Sequence, residues 1–237
     1  GNFEKKNQIY IFDPISEDDD YFYLQNGSVY PIEKGICQEI INPNKLTKVD
    51  NINLLRKKAI FPYKYDADNN PALISIEDFK TEYPQAFKYL EAKKGILEKR
   101  DYKNSNEENW YAYGRNQSLE RYNFKLFFPH ITPHLPNYSL SEDENLLFYN
   151  GLAAVSDERQ KLVFLKKLMS SRLFWFYITN SSKPYGSGYF SLSRNYIKNF
   201  GIFDFTEEEK ETIINENDTE IVNDLIESRY NVQLADI

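Results

Sequence analysis

His130 and His134 stand four residues apart, the spacing at which two imidazoles on one helix face can hold zinc. Pro133 lies between them, and Pro129 and Pro136 flank them, so the segment is not read as a helix and no third ligand presents itself. Structural or loop histidines are expected, and no metal site. The lone Cys37 has no local activating context and reads as a small buried hydrophobe. Carboxylates cluster at 18–20, 142–144 and 207–209, but such runs are ordinary solvated faces. Gly186-Ser-Gly188 falls short of the glycine-rich loops that cradle phosphates, and no G-x-S-x-G turn carries a nucleophilic serine. No catalytic residue is assigned.

Binding chemistry is better represented. Gly114-Arg115-Asn116-Gln117 gathers side chains able to read base edges, arginine pairing with guanine and asparagine or glutamine with adenine. An ordinary turn is the competing reading. The loop over 180–190 combines Lys183, Tyr185, Ser187 and Tyr189 with two glycines, which let backbone amides approach a phosphate. From Gln160 to Phe203 there is no Asp or Glu, whereas Lys161, Lys166, Lys167, Arg172, Lys183, Arg194 and Lys198 all occur. A face that needs only solubility mixes signs. Lys166, Lys167 and Arg172, on the polar side of a predicted helix, are therefore candidates for phosphate contact, with a solvated helix face as the alternative.

The net charge of -7 across 237 residues conceals this asymmetry. Residues 204–237 hold 11 acidic and 2 basic side chains, leaving the rest of the chain at +2. Hydrophobic residues make up 41% and charged residues 27%, a globular composition. No apolar run approaches the roughly 18 residues of a membrane helix, and no secretory signal is seen. A single cysteine fits a reducing compartment, and a cytoplasmic setting is expected. Gly1 in place of methionine reads as the start of an excised piece of a longer chain.

Short strands are expected at 8–12, 21–24, 28–32 and 123–128, and strand-like runs at 58–65 and 146–149. Pro84 opens a helix to about Arg100, with Phe87, Leu90 and Leu97 on its apolar face. Ser156 is the predicted N-cap of one long helix whose buried face is Leu162, Leu165, Met169, Leu173 and Phe176. Thr206-Glu-Glu-Glu209 is a capping box that opens an acidic tail of two helical segments split near Asp218. Strands and helices mix without a β-α-β rhythm, so the class is α+β. The predicted division is 1–205, with room for two subdomains, followed by an acidic helical extension over 206–237.

Four ordered segments carry a family resemblance: Ala59-Ile-Phe-Pro-Tyr63; Tyr83-Pro84 through Leu90 to Leu97-Glu-Lys-Arg100; Trp110-Tyr-Ala-Tyr-Gly-Arg-Asn-Gln-Ser-Leu119; and Leu162 to Gly201, which includes Tyr185-Gly-Ser-Gly-Tyr-Phe190 and Asn195-Tyr-Ile-Lys-Asn-Phe200. Together they resemble the C-terminal target-recognition domain of TaqI-like adenine-specific DNA methyltransferases and of type II restriction–modification enzymes. The resemblance spans roughly residues 28–205. Two departures stand out: Gly35-Ile-Cys-Gln38 replaces a Gly-Ile-Thr-Gly-like segment, and Phe200-Gly-Ile-Phe203 lacks the closing prolines. The resemblance implies a domain that binds double-stranded DNA and reads its sequence for an N-terminal methyltransferase domain of the same polypeptide. That other domain would bind S-adenosylmethionine, flip an adenine and methylate it. The family's Asn-Pro-Pro-aromatic motif is missing here, so no cofactor and no catalysis are expected of this chain, and whether the longer protein also carries a nuclease is left open. The DNA-contacting residues expected are Arg115, Asn116, Gln117, Lys166, Lys167, Lys183, Tyr185, Ser187, Tyr189, Arg194 and Lys198, with the acidic tail packed away from DNA. The alternatives are a protein-interaction module, in which the tail and the aromatic surface bind a partner, and a stand-alone DNA-acting enzyme.

Overall fold

The computed structural model describes residues 7–99, 106–113, 119–184 and 186–234. Strands β1 (Ile11–Phe12), β2 (Ser16–Glu17), β3 (Tyr21–Asn26), β4 (Ser28–Glu33) and β5 (Cys37–Ile41) come first, then β6 (Lys57–Ile60), β7 (Tyr63–Tyr65) and β8 (Pro71–Leu73). Helices α1 (Ile76–Glu82), α2 (Pro84–Ala92) and α3 (Lys94–Leu97) follow. Next are β9 (Phe124–Phe128), β10 (Ile131–Thr132), β11 (Ser139–Ser141), β12 (Leu147–Phe148) and β13 (Leu152–Ser156). Helices α4 (Arg159–Met169) and α5 (Arg172–Ser181), strand β14 (Phe190–Ser191) and helices α6 (Arg194–Ile197), α7 (Glu207–Asn215) and α8 (Thr219–Arg229) complete the order. Small sheets of two to four strands among helices make the fold α+β, as expected. No helix among the described residues is long and apolar enough to cross a membrane.

The chain divides into two compact units: Gly1–Ile41, Arg56–Arg121 and Asn145–Leu147 form one, and Asn42–Leu55, Tyr122–Glu144 and Phe148–Ile237 the other. In the first, Gly27 adopts a φ of +80° and turns β3 back onto β4, the geometry the Asn-Gly pair encodes. Residues 7–10 are helical rather than extended, so the strand expected over 8–12 shrinks to β1. Pro62 separates β6 from β7. Glu33, at the end of β4, accepts hydrogen bonds from the backbone N–H groups of Gln85 (2.7 Å) and Ala86 (2.8 Å) and so caps α2. The helix predicted to reach Arg100 breaks at Lys93, although Phe87, Leu90 and Leu97 are buried as expected. Aromatic rings fill this core, and their hydroxyls find partners. Tyr89 donates to Ile9 O (2.8 Å) and Tyr111 to Ile74 O (2.6 Å), while Phe61 and Trp110 pack as core side chains.

In the second unit β9 lies between β11 and β13, and α4 packs on this sheet. The single long helix predicted from Ser156 is two helices. Ser156 ends β13, and its Oγ accepts the Glu158 N–H (3.0 Å). Ser171 is the reason for the break: its hydroxyl donates to Leu168 O (2.6 Å) and accepts the Phe174 N–H (3.2 Å), ending one helix while capping the next. The buried positions are then Leu162, Phe164, Leu168 and Met169, followed by Leu173, Phe174 and Ile178; Phe176 is 42% exposed. The acidic segment begins as read, Thr206 and Glu209 forming a reciprocal capping box on α7, and it divides before α8. Its apolar side is committed to the chain itself. Phe205, Ile213, Val222 and Ile226 share one core with Phe164, Leu168 and Leu173.

Candidate nucleic-acid interface

Strands β10 and β14 pair antiparallel, Ile131 opposite Ser191 and Thr132 opposite Phe190, and the Leu192 N–H extends the ladder to His130 O (2.8 Å). The ribbon is anchored by its buried side: Thr132, Ser191 and Leu192 are sealed from solvent, and Phe190 packs edge-on against Trp175 at 5.6 Å. On this base stands the loop over 183–189, where Lys183, Ser187, Gly188 and Tyr189 are exposed. Ser187 holds a φ of +76°, which costs a non-glycine residue about 1–2 kcal/mol. After the ribbon, α6 opens on Arg194 and is closed by Lys198, four residues apart and both exposed. This short helix is fixed on α5, for Tyr177 donates to Tyr196 O (2.9 Å) and Phe200 packs against the rings of Phe174 and Tyr177, each at 5.1 Å.

Electrostatics sort the predicted cations into two sets. Lys166, Lys183, Arg194 and Lys198 are exposed and have no counter-ion among the described residues. Lys167 and Arg172 instead face the acidic segment, contrary to the expected phosphate-facing surface. Lys167 Nζ donates to Glu216 O at 2.5 Å. Arg172 forms a two-pronged pair with Glu227 (2.7 and 3.1 Å), reaches Glu220 at 3.0 Å and has Asp224 at 3.6 Å. The hydrogen bonds from Arg172 hold the Glu227 carboxyl below its ordinary value, and Glu227 in turn raises that of the guanidinium. The acidic tail therefore does not sit apart from the basic helices; it neutralises part of them. The predicted contacts Arg115, Asn116, Gln117 and Tyr185 lie outside the described residues.

The structure adds two cations that the sequence pattern did not single out. The tight turn Pro43–Thr47 carries Lys45, with Lys48 just after it, both exposed and without a counter-ion among the described residues. It is fastened to the same ribbon region: Asn44 Oδ1 accepts the His130 N–H (2.8 Å), and Asn137 donates to Leu46 O (3.1 Å). Asn42-Pro43 signals the turn itself, since the Asn42 side chain accepts the Asn44 N–H. Nothing local signals a partner some ninety residues away.

Among the described residues no group of three or more His, Cys, Asp or Glu side chains is placed to hold a metal ion. Burial pushes the Cys37 thiol up to about 12, so it is no ready nucleophile.

No family model and no curated protein matches this sequence. Among solved structures, the chain is similar in fold to the type IIL restriction-modification enzyme MmeI, whose structure was determined in complex with DNA. The TM-score is 0.59 at 10% identity, over 86% of this chain and 29% of that one, so the likeness is one of fold and this chain spans less than a third of that enzyme's length.

Proposed function

We propose that this chain is a DNA target-recognition domain of a restriction–modification enzyme. The observation that carries the reading is the uncompensated cation set of the second unit. Arg172 and Lys167 are consumed by a carboxylate and a carbonyl, whereas Lys166 on α4 and Lys183, Arg194 and Lys198 beside the anchored ribbon face solvent without a counter-ion among the described residues. Phosphates of a duplex are the counter-ions such a surface fits. The fold likeness to MmeI supports the same reading.

Lysines and arginines set the register on the backbone, and the loop side chains meet base edges. In the finer form of this proposal the longer protein is a TaqI-like, adenine-specific DNA methyltransferase of the cytoplasm. An N-terminal domain binds S-adenosylmethionine and performs the transfer. The described residues of this chain do not fit that cofactor: Gly186 and Gly188 sit in an exposed loop rather than between a parallel strand and a helix. The interaction-module alternative loses its main element, because the apolar side of the acidic tail is occupied by the chain's own core.

Anisotropy of the 237-residue chain on a labelled duplex, from about 50 to about 200 mM salt, tests the reading. Affinity should fall linearly on a log–log plot. Replacing Lys183, Arg194 and Lys198 together by Ala should make the slope shallower by about 2–3 units, at about 0.9 per phosphate contact. Binding that ignores salt, or a slope the triple variant leaves unchanged, rejects it.

A further inference from the structure

The antiparallel ladder of β10 and β14 has a consequence for a loop that carries none of the expected contacts. Chain leaving Thr132 and chain entering Phe190 emerge at the same end of the ribbon. Pro133, His134 and Leu135 therefore rise beside Ser187–Tyr189. All three are exposed, between Thr132 and Pro136, which are buried. The tip is pinned at both feet and across its middle. Thr132 Oγ1 donates to His134 O (2.6 Å), Asn137 donates to Leu46 O (3.1 Å), and His134 Nδ1 lies 3.0 Å from Leu135 O. Two prolines stiffen it further.

That last bond fixes the chemistry of the imidazole. A carbonyl oxygen only accepts, so Nδ1 carries the proton, and in the neutral ring Nε2 is left as an acceptor. It sits on an exposed tip held between two prolines, next to Leu135 (39% exposed) and at the same end of the ribbon as the segment that carries Tyr189 (38% exposed). Each base pair offers such an acceptor one complement in the major groove. Phosphates and most groove atoms accept; the donors are the exocyclic amines, adenine N6 and cytosine N4 in the major groove. We propose that the Pro133–Leu135 tip enters the major groove and that His134 Nε2 reads one of these amines, making His134 a specificity-determining residue. The inference rests on the DNA-recognition reading above.

Selection of bound duplexes from a randomised pool, run in parallel with the 237-residue chain and with His134→Ala and His134→Gln, tests it. The unaltered chain should enrich a motif in which at least one position is fixed to a single base pair. His134→Ala should lose about tenfold of the discrimination at that position while the other positions and the salt slope stay as they were. His134→Gln, whose amide oxygen can accept the same bond, should keep the preference. An unchanged motif in His134→Ala overturns the inference and leaves the broader reading standing. A uniform loss across all positions, with a shallower salt slope, overturns it too, by making His134 a backbone contact. No motif and no salt-dependent binding with the unaltered chain overturns both. Urea midpoints equal to the unaltered chain's confirm that the variants report on contact rather than folding.

Discussion

Glu227→Ala is expected to lower the free energy of unfolding by about 3 kcal/mol, because it strands the Arg172 guanidinium among groups arranged for a charged partner. Glu227 is 2% exposed, and beyond Arg172 it accepts the Leu234 N–H at 3.2 Å. Arg172 keeps a quarter of its side chain in water and retains Glu220 and Asp224, which holds the cost at the lower end of the range for breaking a buried pair. Urea unfolding measures it. A loss under about 1 kcal/mol would reduce the pair to an ordinary surface bridge. The pH dependence follows with a definite sign. The folded-state value of Glu227 lies below the ordinary 4.5, so the unfolded chain takes up its proton first. The contribution is complete above about pH 5 and is lost as pH falls through the folded value. Glu227→Gln should remove that part of the acid sensitivity while preserving the shape of the site. An acid limb as steep in Glu227→Gln as in the unaltered chain sinks the assignment.

The same contacts change what truncation at Phe205 means. From charge alone the tail reads as packed away from DNA. Its removal would uncover Phe164, Leu168 and Leu173 and unpair Arg172, so destabilisation is the expected result. The local signals of the tail were legible: the capping box at Thr206 and the split ahead of Asp218 both fall where the sequence places them. Where the tail docks was not, because helical periodicity shows that a face is apolar without naming what covers it. Acid-free composition over 160–203 likewise overstated the free cations, since the Glu227 carboxylate and the Glu216 backbone carbonyl lie far away in sequence and next to Arg172 and Lys167 in space.

Elsewhere the failures are local competitions. Ser170-Ser171 sits inside a pattern that steps by three and four residues, yet a serine hydroxyl that can cap outcompetes continuation of the helix. The tyrosine abundance reads equally as stacking surface or as core. The structure assigns much of it to the first unit's interior, where Tyr89, Tyr111 and Tyr10 each have a hydroxyl partner. Of the candidate interface, charge and glycine content single out Lys183, Ser187, Tyr189, Arg194 and Lys198, and the structure shows these side chains exposed. Lys45, Lys48 and His134 were not, because the β10–β14 ladder and the Asn44 side chain bring them to that region, and both are long-range contacts.

Gly151→Ala should be comparably damaging, by about 2–3 kcal/mol, for a steric reason that no local pattern announces. A Cβ at Gly151 would fall among the ring atoms of Pro43, 2.7 Å from Cγ and 2.8 Å from Cδ and nearer still to Cβ. A proline ring cannot swing aside as a flexible side chain would, so the backbone of one segment has to move. Pro43 is buried and opens the turn that carries Lys45, and the neighbouring Asn150 carbonyl accepts from Asn44 Nδ2 at 2.6 Å. Displacing the ring therefore loosens the attachment of Lys45 and Lys48 together with the packing. Two readouts should move together: a lower urea midpoint at unchanged m, and a DNA salt slope shallower by about 1–2 units. The double-mutant cycle isolates the clash, since in a Pro43→Gly background the same Gly151→Ala change meets no ring and should cost less by about 1 kcal/mol or more. If Gly151→Ala is equally damaging with and without Pro43, the close approach is not what this glycine provides. If it is harmless in both backgrounds, the turn is not seated where its hydrogen bonds to Asn150 and His130 put it.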